Sequence, residues 1–360
     1  MLAMHMANEL LSVPFAGVTL LAATLVVVWA AWRTKKTIQS EKVPLMGVIG
    51  AFVFAGQMIN FTLPGMPGTS GHLGGGVLLA ILLGPSAAIL VMSAILVVQC
   101  LLFQDGGLLA LGCNIINMGV VPCLVGWGLY RLTLGRAETA KPWRQYAAAW
   151  VACIVGVTAG AALVPVQAAI SGVLKISPVH FLGVMVGVHL IIGFVEGLIT
   201  FAVIAYLRQV RPAALGLKTA DAAGRLSRRA VLVTFLATAV LLAGVVSWFA
   251  SSHPDGLEWS YLEHHYGESD EAVVAPSETV TRVDALQTRW SLLPDYTKRT
   301  AALGEEPVEE ETADEAETAW PSMSGWGSLA GLIGTAVTLL VVYLIALALR
   351  RRDRTAPGQA

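Results

Sequence analysis

Histidines are the side chains of this 360-residue chain whose types and positions suggest a definite chemistry. Imidazole nitrogens bind divalent transition metals, above all where several of them gather in one place. His5 follows Met4 near the start of the chain, and His72 ends a loop rich in glycine and proline, residues 64–72. The other histidines are His180, His189, His253, His264 and His265. His5 and His72 are therefore the first candidate metal ligands.

A specific chelate becomes possible if the working chain starts at Met4, because His5 is then its second residue. The α-amine of Met4, the amide nitrogen of His5 and the imidazole of His5 would hold one ion in a nitrogen set that suits Ni²⁺ or Cu²⁺. His72 would be the fourth ligand of this square-planar set. If Met1 is the first residue, Met4 offers only an amide nitrogen with a delocalised lone pair, and His5 is an ordinary surface residue.

Polar side chains within apolar stretches form a second set of candidates. Asn114 and Asn117 lie three residues apart, on one face of a predicted helix, where amides join helices or support a site. His189 and Glu196 lie two helical turns apart in another apolar segment, where ionisable groups are costly to bury. We predict that Asn114, His189 and Glu196 support the metal ligands from behind; a simple packing pair is the alternative for His189 and Glu196.

Other motifs point to no catalytic site. Four cysteines lie inside apolar runs without a CxxC spacing, which favours small core residues over a zinc site or disulfides: Cys100, Cys113, Cys123 and Cys153. The sequence contains no GxxxxGK[ST], HExxH or GxSxG motif. Any process driven by ATP would therefore need its ATPase on another polypeptide.

Composition predicts the elements that position these residues. Hydrophobic residues make up 56% of the chain and charged residues 13%, with a mean hydropathy of +0.69, whereas soluble domains carry about a quarter charged residues. Apolar runs of about 20 residues suit helices that cross a bilayer. We predict an all-α membrane protein, a polytopic bundle of about nine transmembrane helices near 14–32, 44–63, 73–84, 87–103, 107–132, 147–173, 179–207, 229–250 and 327–349. Segment 73–84 is short, either a thin crossing or half of a re-entrant hairpin.

The charges predict the orientation of this bundle. Residues 251–326 hold 17 of the 24 acidic and 4 of the 23 basic side chains. Basic clusters follow the first, fifth and seventh segments and close the chain, and the loops between them are poor in lysine and arginine. By the positive-inside rule the N-terminus lies outside and the C-terminus inside. All seven histidines then lie outside or in the outer half of the membrane, and the charge split gives no sign of nucleic-acid binding.

The same features divide the chain into parts. Residues 4–207 form a predicted seven-helix metal-binding core, and 208–228 a basic cytoplasmic linker. Residues 229–350 follow as two helices that enclose the acidic external region 251–326. We expect stretch 304–318 to be loosely ordered; it either solvates the exterior or attracts cations to the site.

Four blocks in order resemble a known family, the substrate-binding, M-type components of energy-coupling-factor transporters for nickel and cobalt. The resemblance covers residues 4–207 and rests on Met4–Leu10, Gly71–Gly76 with Gly84-Pro85, Gln104–Gly107 through Leu111–Asn114 with Met118-Gly119, and Val188-His189 through Glu196–Thr200. Downstream, Ser252–Glu258 contains Pro-Asp-Gly-Leu-Glu and is similar to the motif that names the small N-type partner, which is fused here.

The resemblance implies a transporter subunit and no enzyme. Its substrate would be Ni²⁺ or Co²⁺, bound by Met4, His5 and His72 without an organic cofactor. It would be a multi-pass protein of the cell (inner) membrane, embedded in the lipid bilayer. Its partners would be a transmembrane coupling subunit of the T or Q type and ATP-binding subunits of the O type, and no nucleic acid.

Several alternatives remain open at this point. The three-residue extension before Met4 departs from the family's Met-His start. The fused N-type segment favours nickel, and cobalt uptake for cobalamin biosynthesis is the alternative. A vitamin-capturing component of the same transporter type would need aromatic residues in the loop that ends at residue 76, and this loop has none. A membrane metalloenzyme built on His189 and Glu196 is the rival from another class.

Overall fold

The computed structural model describes residues 5–38, 42–135, 141–217, 226–261, 277–297 and 325–350. These residues form helices and one short β-hairpin, with strands β1 (Phe61–Thr62) and β2 (Ser70–Gly71). The α-helices are α1 Val13–Thr37, α2 Val43–Gln57, α3 Gly76–Leu83, α4 Pro85–Val98, α5 Leu111–Asn114, α6 Trp127–Leu134, α7 Pro142–Ser171, α8 Pro178–Val210, α9 Arg228–Gly244, α10 Gly256–Tyr261, α11 Glu278–Trp290 and α12 Gly325–Leu349.

Short π-helical segments extend this pattern. One, Gln99–Phe103, continues α4, and two others, Ile115–Val120 and Pro122–Gly126, join α5 to α6. Within the described ranges, six helical stretches are long and apolar enough to cross a membrane: Val13–Thr37, Pro85–Phe103, Leu111–Leu134, Pro142–Ser171, Pro178–Val210 and Gly325–Leu349. The prediction of a largely helical bundle with several membrane-spanning segments is confirmed to this extent.

The third predicted segment is helical over only part of its length. Helix α3 has 8 residues, which extend about 12 Å, less than half of a bilayer core. Residues 71–75 before it are non-helical, and Gly71, His72 and Gly74 line a cavity at one end of the bundle. Gly84, just after α3, lines a crevice with Arg33 and Lys42. The segment therefore joins two ends of the bundle, with residues 73–75 non-helical and Gly76–Leu83 helical, and its irregular backbone lies at a cavity, where such backbone is tolerated.

Helices α7 and α8 pack closely along each other and against the π-helical part of the α5–α6 stretch. A Cβ at Gly160 of α7 would overlap the carbonyl oxygen of Asn117, and one at Gly193 of α8 would meet the backbone of Ile154. Small residues at these crossings allow the backbones to approach, as is typical of membrane bundles. This packing builds one wall of the cavity.

The C-terminal helices pack directly on the core. Helices α9 and α12 contact α2, with the rings of Phe52 and Phe235 5.3 Å apart. Parts of the predicted acidic external region are also folded against the core. Gln287 of α11 donates to the carbonyl oxygens of Gly106 and Cys100. Residues 251–261 and 277–297 thus belong to the folded body, and stretch 304–318 lies outside the described residues.

Candidate metal-binding site

The two candidate ligands His5 and His72 meet in the structure. Their ring centroids are 5.4 Å apart and the ring planes are inclined by 63°. They come from separate parts of the chain, the segment before α1 and the loop before α3. Both line the same cavity, so the structure brings together the two histidines that the sequence singled out.

His5 is held in place on both its backbone and its ring. The Asn114 side chain accepts from the Met6 N–H at 3.0 Å and donates to the Met6 carbonyl oxygen at 3.1 Å. His5 Nδ1 lies 2.6 Å from Asp105 Oδ1, and both side chains are buried. Burial alone lowers the pKa of His5, but the Asp105 carboxylate more than offsets this, and the pKa of His5 is raised.

The other ring nitrogen of His5, Nε2, is buried and has no hydrogen-bond partner among the described residues. Buried polar atoms are nearly always paired, so an orphan of this kind needs an explanation. A histidine that bonds a carboxylate through one nitrogen commonly offers the other nitrogen to a metal. The ring of His5 therefore has the arrangement of a metal ligand.

The second oxygen of Asp105 is also bonded. Tyr296, on the short 3₁₀ turn Pro294–Tyr296 that follows α11, donates its hydroxyl to Asp105 Oδ2 at 2.6 Å. Burial raises the pKa of Asp105, but His5 and Tyr296 outweigh it, and the net pKa is lowered. Burial, followed by the Asp105 charge, raises the pKa of Tyr296 well above its usual range. Asp105 is thus an ionised carboxylate held between two donors.

His72 is held mainly through the backbone of its loop. Its Nδ1 lies 3.2 Å from the carbonyl oxygen of Leu73. The next residue, Gly74, donates its N–H to Glu196 Oε2 at 2.8 Å and accepts from Gln57 Nε2 at 2.7 Å. Gly75 has a φ of +76°, a left-handed conformation that favours glycine. Glu196 therefore supports the loop that carries His72, and it does so from within the bundle.

The C-terminal segment contributes a second carboxylate at the cavity. Asp255 Oδ2 lies 3.9 Å from His72 Nε2, and Asp255 is only 4% exposed. Ser70 of β2 donates its N–H to the carbonyl oxygen of Pro254 at 2.8 Å, which ties the Pro-Asp-Gly-Leu-Glu motif to the loop before His72. Burial, the largest effect, raises the pKa of Asp255.

The cavity between these groups has a volume of about 80 Å³. One water needs roughly 10–15 Å³ by this measure, so several waters, or one ion with part of its hydration shell, fit inside. Besides the residues already described, the walls include His189, Asn117, Met118 and Met185. Asn117 and Gln167 form a closed amide pair, with bonds of 2.7 and 2.8 Å.

The three predicted supporting residues, Asn114, His189 and Glu196, form hydrogen bonds with different partners. His189 bonds the Met185 carbonyl oxygen through Nδ1 at 2.8 Å and lines the cavity, whereas Glu196 bonds Gly74. Asn114 holds the backbone beside His5. His189 and Glu196, for which the sequence left a supporting role and a packing pair as alternatives, contact different partners in the structure.

The spacing of the two imidazoles suits one shared ion. With a nitrogen–metal distance of about 2 Å, the centroids lie about 4.5 Å apart for neighbouring positions and about 6.4 Å apart for opposite ones, and the observed 5.4 Å falls between. Within the described ranges, no three His, Cys, Asp or Glu side chains form a cluster of metal-ligand geometry. Met4 lies outside the described residues.

Asp105, Asp255 and Tyr296 were missed as site residues by the sequence reasoning. Asp105 and Asp255 stand in motifs that the family resemblance had already marked, and this was the only available signal. Tyr296 has no such signal. Of the remaining histidines, His180 and His253 are exposed, and His264 and His265 lie outside the described residues.

Comparison with known proteins gives two family matches, which together cover most of the chain without overlapping. A family described as the cobalt uptake substrate-specific transmembrane region matches residues 5–214. A second family, the PDGLE domain, matches residues 229–351. The first match covers more than half of the chain.

Curated relatives agree with these matches. A putative fused nickel transport protein NikMN of Archaeoglobus fulgidus is 34% identical, over 70% of this chain and 80% of the relative. The fused nickel transport protein NikMN of Rhodobacter capsulatus is 32% identical, over 61% and 66%. A putative cobalt transport protein CbiM of Haloquadratum walsbyi is 30% identical, over 58% and 94%.

The apolar helices, the paired histidines and these relatives agree with one another and with the resemblance seen in the sequence motifs. The chain belongs to the cobalt uptake substrate-specific transmembrane family, carries a PDGLE domain at its C-terminal end, and is a membrane protein of transition-metal uptake.

Proposed function

We propose that this chain captures Ni²⁺ or Co²⁺ as the substrate-binding component of an ATP-driven uptake transporter. The observation that carries the proposal is the meeting of two imidazoles from distant parts of the chain at one cavity, with His5 Nε2 unpartnered among the described residues. Imidazole nitrogen suits both ions. Nickel is the first candidate because two of the relatives that share the fused architecture are named as nickel transport proteins.

The proposed ligands are His5, His72 and the nitrogens of Met4 and His5. Asn114, His189 and Glu196 support them without binding the ion. A metalloenzyme with His189 and Glu196 as joint ligands is disfavoured, because these two side chains bond to Met185 and Gly74.

The proposed topology keeps nine crossings, with the N-terminus outside and the C-terminus inside the cell (inner) membrane. It is supported by the basic residues near the end of the bundle that holds Arg33, Lys42 and Gly84. The third crossing is the segment of residues 73–84, which is non-helical at 73–75 and then forms α3. His5, His72 and Asp255 then face the external side, where an arriving ion meets them first.

A transmembrane coupling subunit and ATP-binding subunits are the proposed partners. Small residues let helices approach closely, and three of those on α1, Ala16, Ala23 and Ala30, are buried within this chain. A coupling subunit would therefore use the exposed side of α1, which includes Gly17 and Ala22.

The test is metal binding by the purified full-length protein, measured by elemental analysis and by titration with Ni²⁺ and Co²⁺. We expect one bound ion, and we expect His72→Ala to abolish high-affinity binding while the protein stays folded. His180→Ala is the matched control, because His180 is an exposed histidine away from the cavity. Equal affinity in the His72→Ala variant and the wild type would remove His72 from the site.

The intact mass of the nickel-bound protein tests the amine ligand. The proposal requires active chains that begin at Met4. Tight binding by chains that begin at Met1 would eliminate the amine and leave His5 and His72 with other ligands.

A further inference from the structure

Besides Asp255, which lines the cavity, the C-terminal segment contacts a second group of the site, Asp105, the carboxylate that bonds His5. After α11, the chain turns back at Pro294–Tyr296 and places the Tyr296 ring on Phe103, with centroids 4.8 Å apart and planes inclined by 15°. Phe103 ends the π-helical extension of α4, two residues before Asp105. The turn is anchored to the same stretch, since Leu292 and Leu293 both donate to the Leu102 carbonyl oxygen, at 2.9 and 3.0 Å.

The backbone of this turn is unusual. Asp295 and Tyr296 have φ values of +49° and +58°, in the left-handed region that non-glycine residues seldom adopt. Such conformations persist where the surrounding structure determines them, and they are frequent at functional sites. Here the anchored backbone and the stacked ring fix the position of one atom, the Tyr296 hydroxyl oxygen, 2.6 Å from Asp105 Oδ2.

The Asp105 carboxylate therefore bonds the core through one oxygen and the C-terminal segment through the other. Oδ1 meets His5 Nδ1 at 2.6 Å and Oδ2 accepts from Tyr296 at 2.6 Å. Asp105 is 2% exposed, so water does not compete freely for either oxygen. A carboxylate with both oxygens bonded cannot rotate without losing a bond, and the His5 ring that it holds keeps Nε2 as the nitrogen left for an ion.

We propose that Tyr296 is a positioning residue for metal capture, which holds Asp105 so that Asp105 orients the His5 imidazole. This inference rests on the proposed function and deepens it. The ligand His5 comes from the core, but its orientation depends on a hydroxyl of the PDGLE-containing segment. Asp255 at 3.9 Å from His72 gives the same segment a contact with the other ligand.

Tyr296→Phe in the full-length protein tests the proposal, because it removes the hydroxyl and keeps the ring on Phe103. We expect the affinity for Ni²⁺ to fall about 10-fold, at the lower end of the effect of groups that orient metal ligands. We also expect the visible absorption spectrum of bound Co²⁺ to change, which a loss of stability alone would not produce. Tyr130→Phe is the matched control: Tyr130 is buried, bonds Gln145 through its hydroxyl at 3.0 Å and lies away from the cavity.

A double-mutant cycle shows whether Tyr296 acts through Asp105. If it does, Tyr296→Phe combined with Asp105→Asn binds Ni²⁺ as Asp105→Asn alone does, because the second change removes a contact that no longer matters. Fully additive losses would overturn the proposal, as would a Tyr296→Phe protein with wild-type affinity and an unchanged Co²⁺ spectrum. If His72→Ala also binds like the wild type, the proposed function fails; if only Tyr296→Phe does, the inference alone fails.

Discussion

The His5 side and the His72 side of the cavity differ in the contacts that hold the histidine, the proposed metal ligand of each side. His5 is fixed by a charged side-chain pair, since Asp105 contacts its ring at 2.6 Å. His72 is carried by a glycine-rich loop whose backbone bonds Glu196 and Gln57, and its nearest carboxylate, Asp255, lies at 3.9 Å. At 3.9 Å a hydrogen bond is not formed.

This difference indicates two ways to position a ligand in a membrane bundle. An electrostatic partner sets both the orientation and the proton affinity of the His5 ring. The restrained backbone of its loop sets only the position of the His72 ring. The loop geometry should therefore affect the His72 side more than any single carboxylate does. Changes on the two sides should therefore act on different quantities.

Among changes to the groups that hold the two histidines, Asp105→Asn should have the largest effect on Ni²⁺ affinity. The amide cannot replace the carboxylate charge beside His5, and changes in groups that bond a metal-binding histidine cost about 10–100-fold in affinity. Titration with Ni²⁺ measures the loss. Asp255→Asn is the comparator on the His72 side, and we expect a smaller loss because no hydrogen bond to His72 is removed. An equal loss in both variants would erase the difference between the sides, and an unaffected Asp105→Asn protein would mean that His5 binds the ion through Nδ1.

Gly75→Ala should damage the His72 side through its backbone. A side chain at this left-handed position costs about 1–2 kcal/mol, and the new Cβ would overlap Val53, which adds about 1–3 kcal/mol of overpacking. Gly68→Ala is the matched control, since Gly68 also has a positive φ, +83°, but has open space around it. Thermal unfolding and Ni²⁺ titration should show a larger stability loss and weaker binding for Gly75→Ala. Indistinguishable variants would show that the loop packing does not position His72.

A change of pH should have the smallest effect on metal affinity, and this effect should arise from protonation of His5. The ion needs a deprotonated imidazole, and the pKa of His5 is raised. Affinity should therefore start to fall, as the pH is lowered, above the usual histidine pKa of about 6.5. In Asp105→Asn the fall should begin at lower pH. Titrations between about pH 5.5 and 8.5 cover this range.

The stability of the metal-free protein should depend on pH in the opposite direction to the affinity for the ion. Because the folded-state pKa of His5 is raised, its pairing with Asp105 stabilises the fold fully below the ordinary histidine pKa and loses this contribution as the pH rises through the raised value. A pH profile of binding that is identical in the wild type and in Asp105→Asn would contradict this account.

The sequence predicted the helical class, six of its nine proposed membrane segments as long apolar helices in the described part of the chain, and the two histidines that meet at the cavity. Long apolar runs can satisfy their backbone groups in lipid only as helices, so composition alone indicates them. His5 and His72 were recognisable because a Met-His start and a Gly/Pro loop are local patterns. The same holds for Asn114 and Glu196, whose polar side chains stand out in apolar segments.

The tertiary structure decided which groups meet. Segment 73–84 has a helical composition, but its first residues are non-helical because Gly74 lines the cavity beside His5 and bonds neighbours from α2 and α8. Asp105, Asp255 and Tyr296 are separated by up to 191 positions along the chain, and no local pattern pairs them. Their contacts exist only because the C-terminal segment folds onto the core. What the sequence by itself determined is thus the set of candidate ligands and helices, since these depend on local composition; the orientation of each ligand was decided by packing between distant segments.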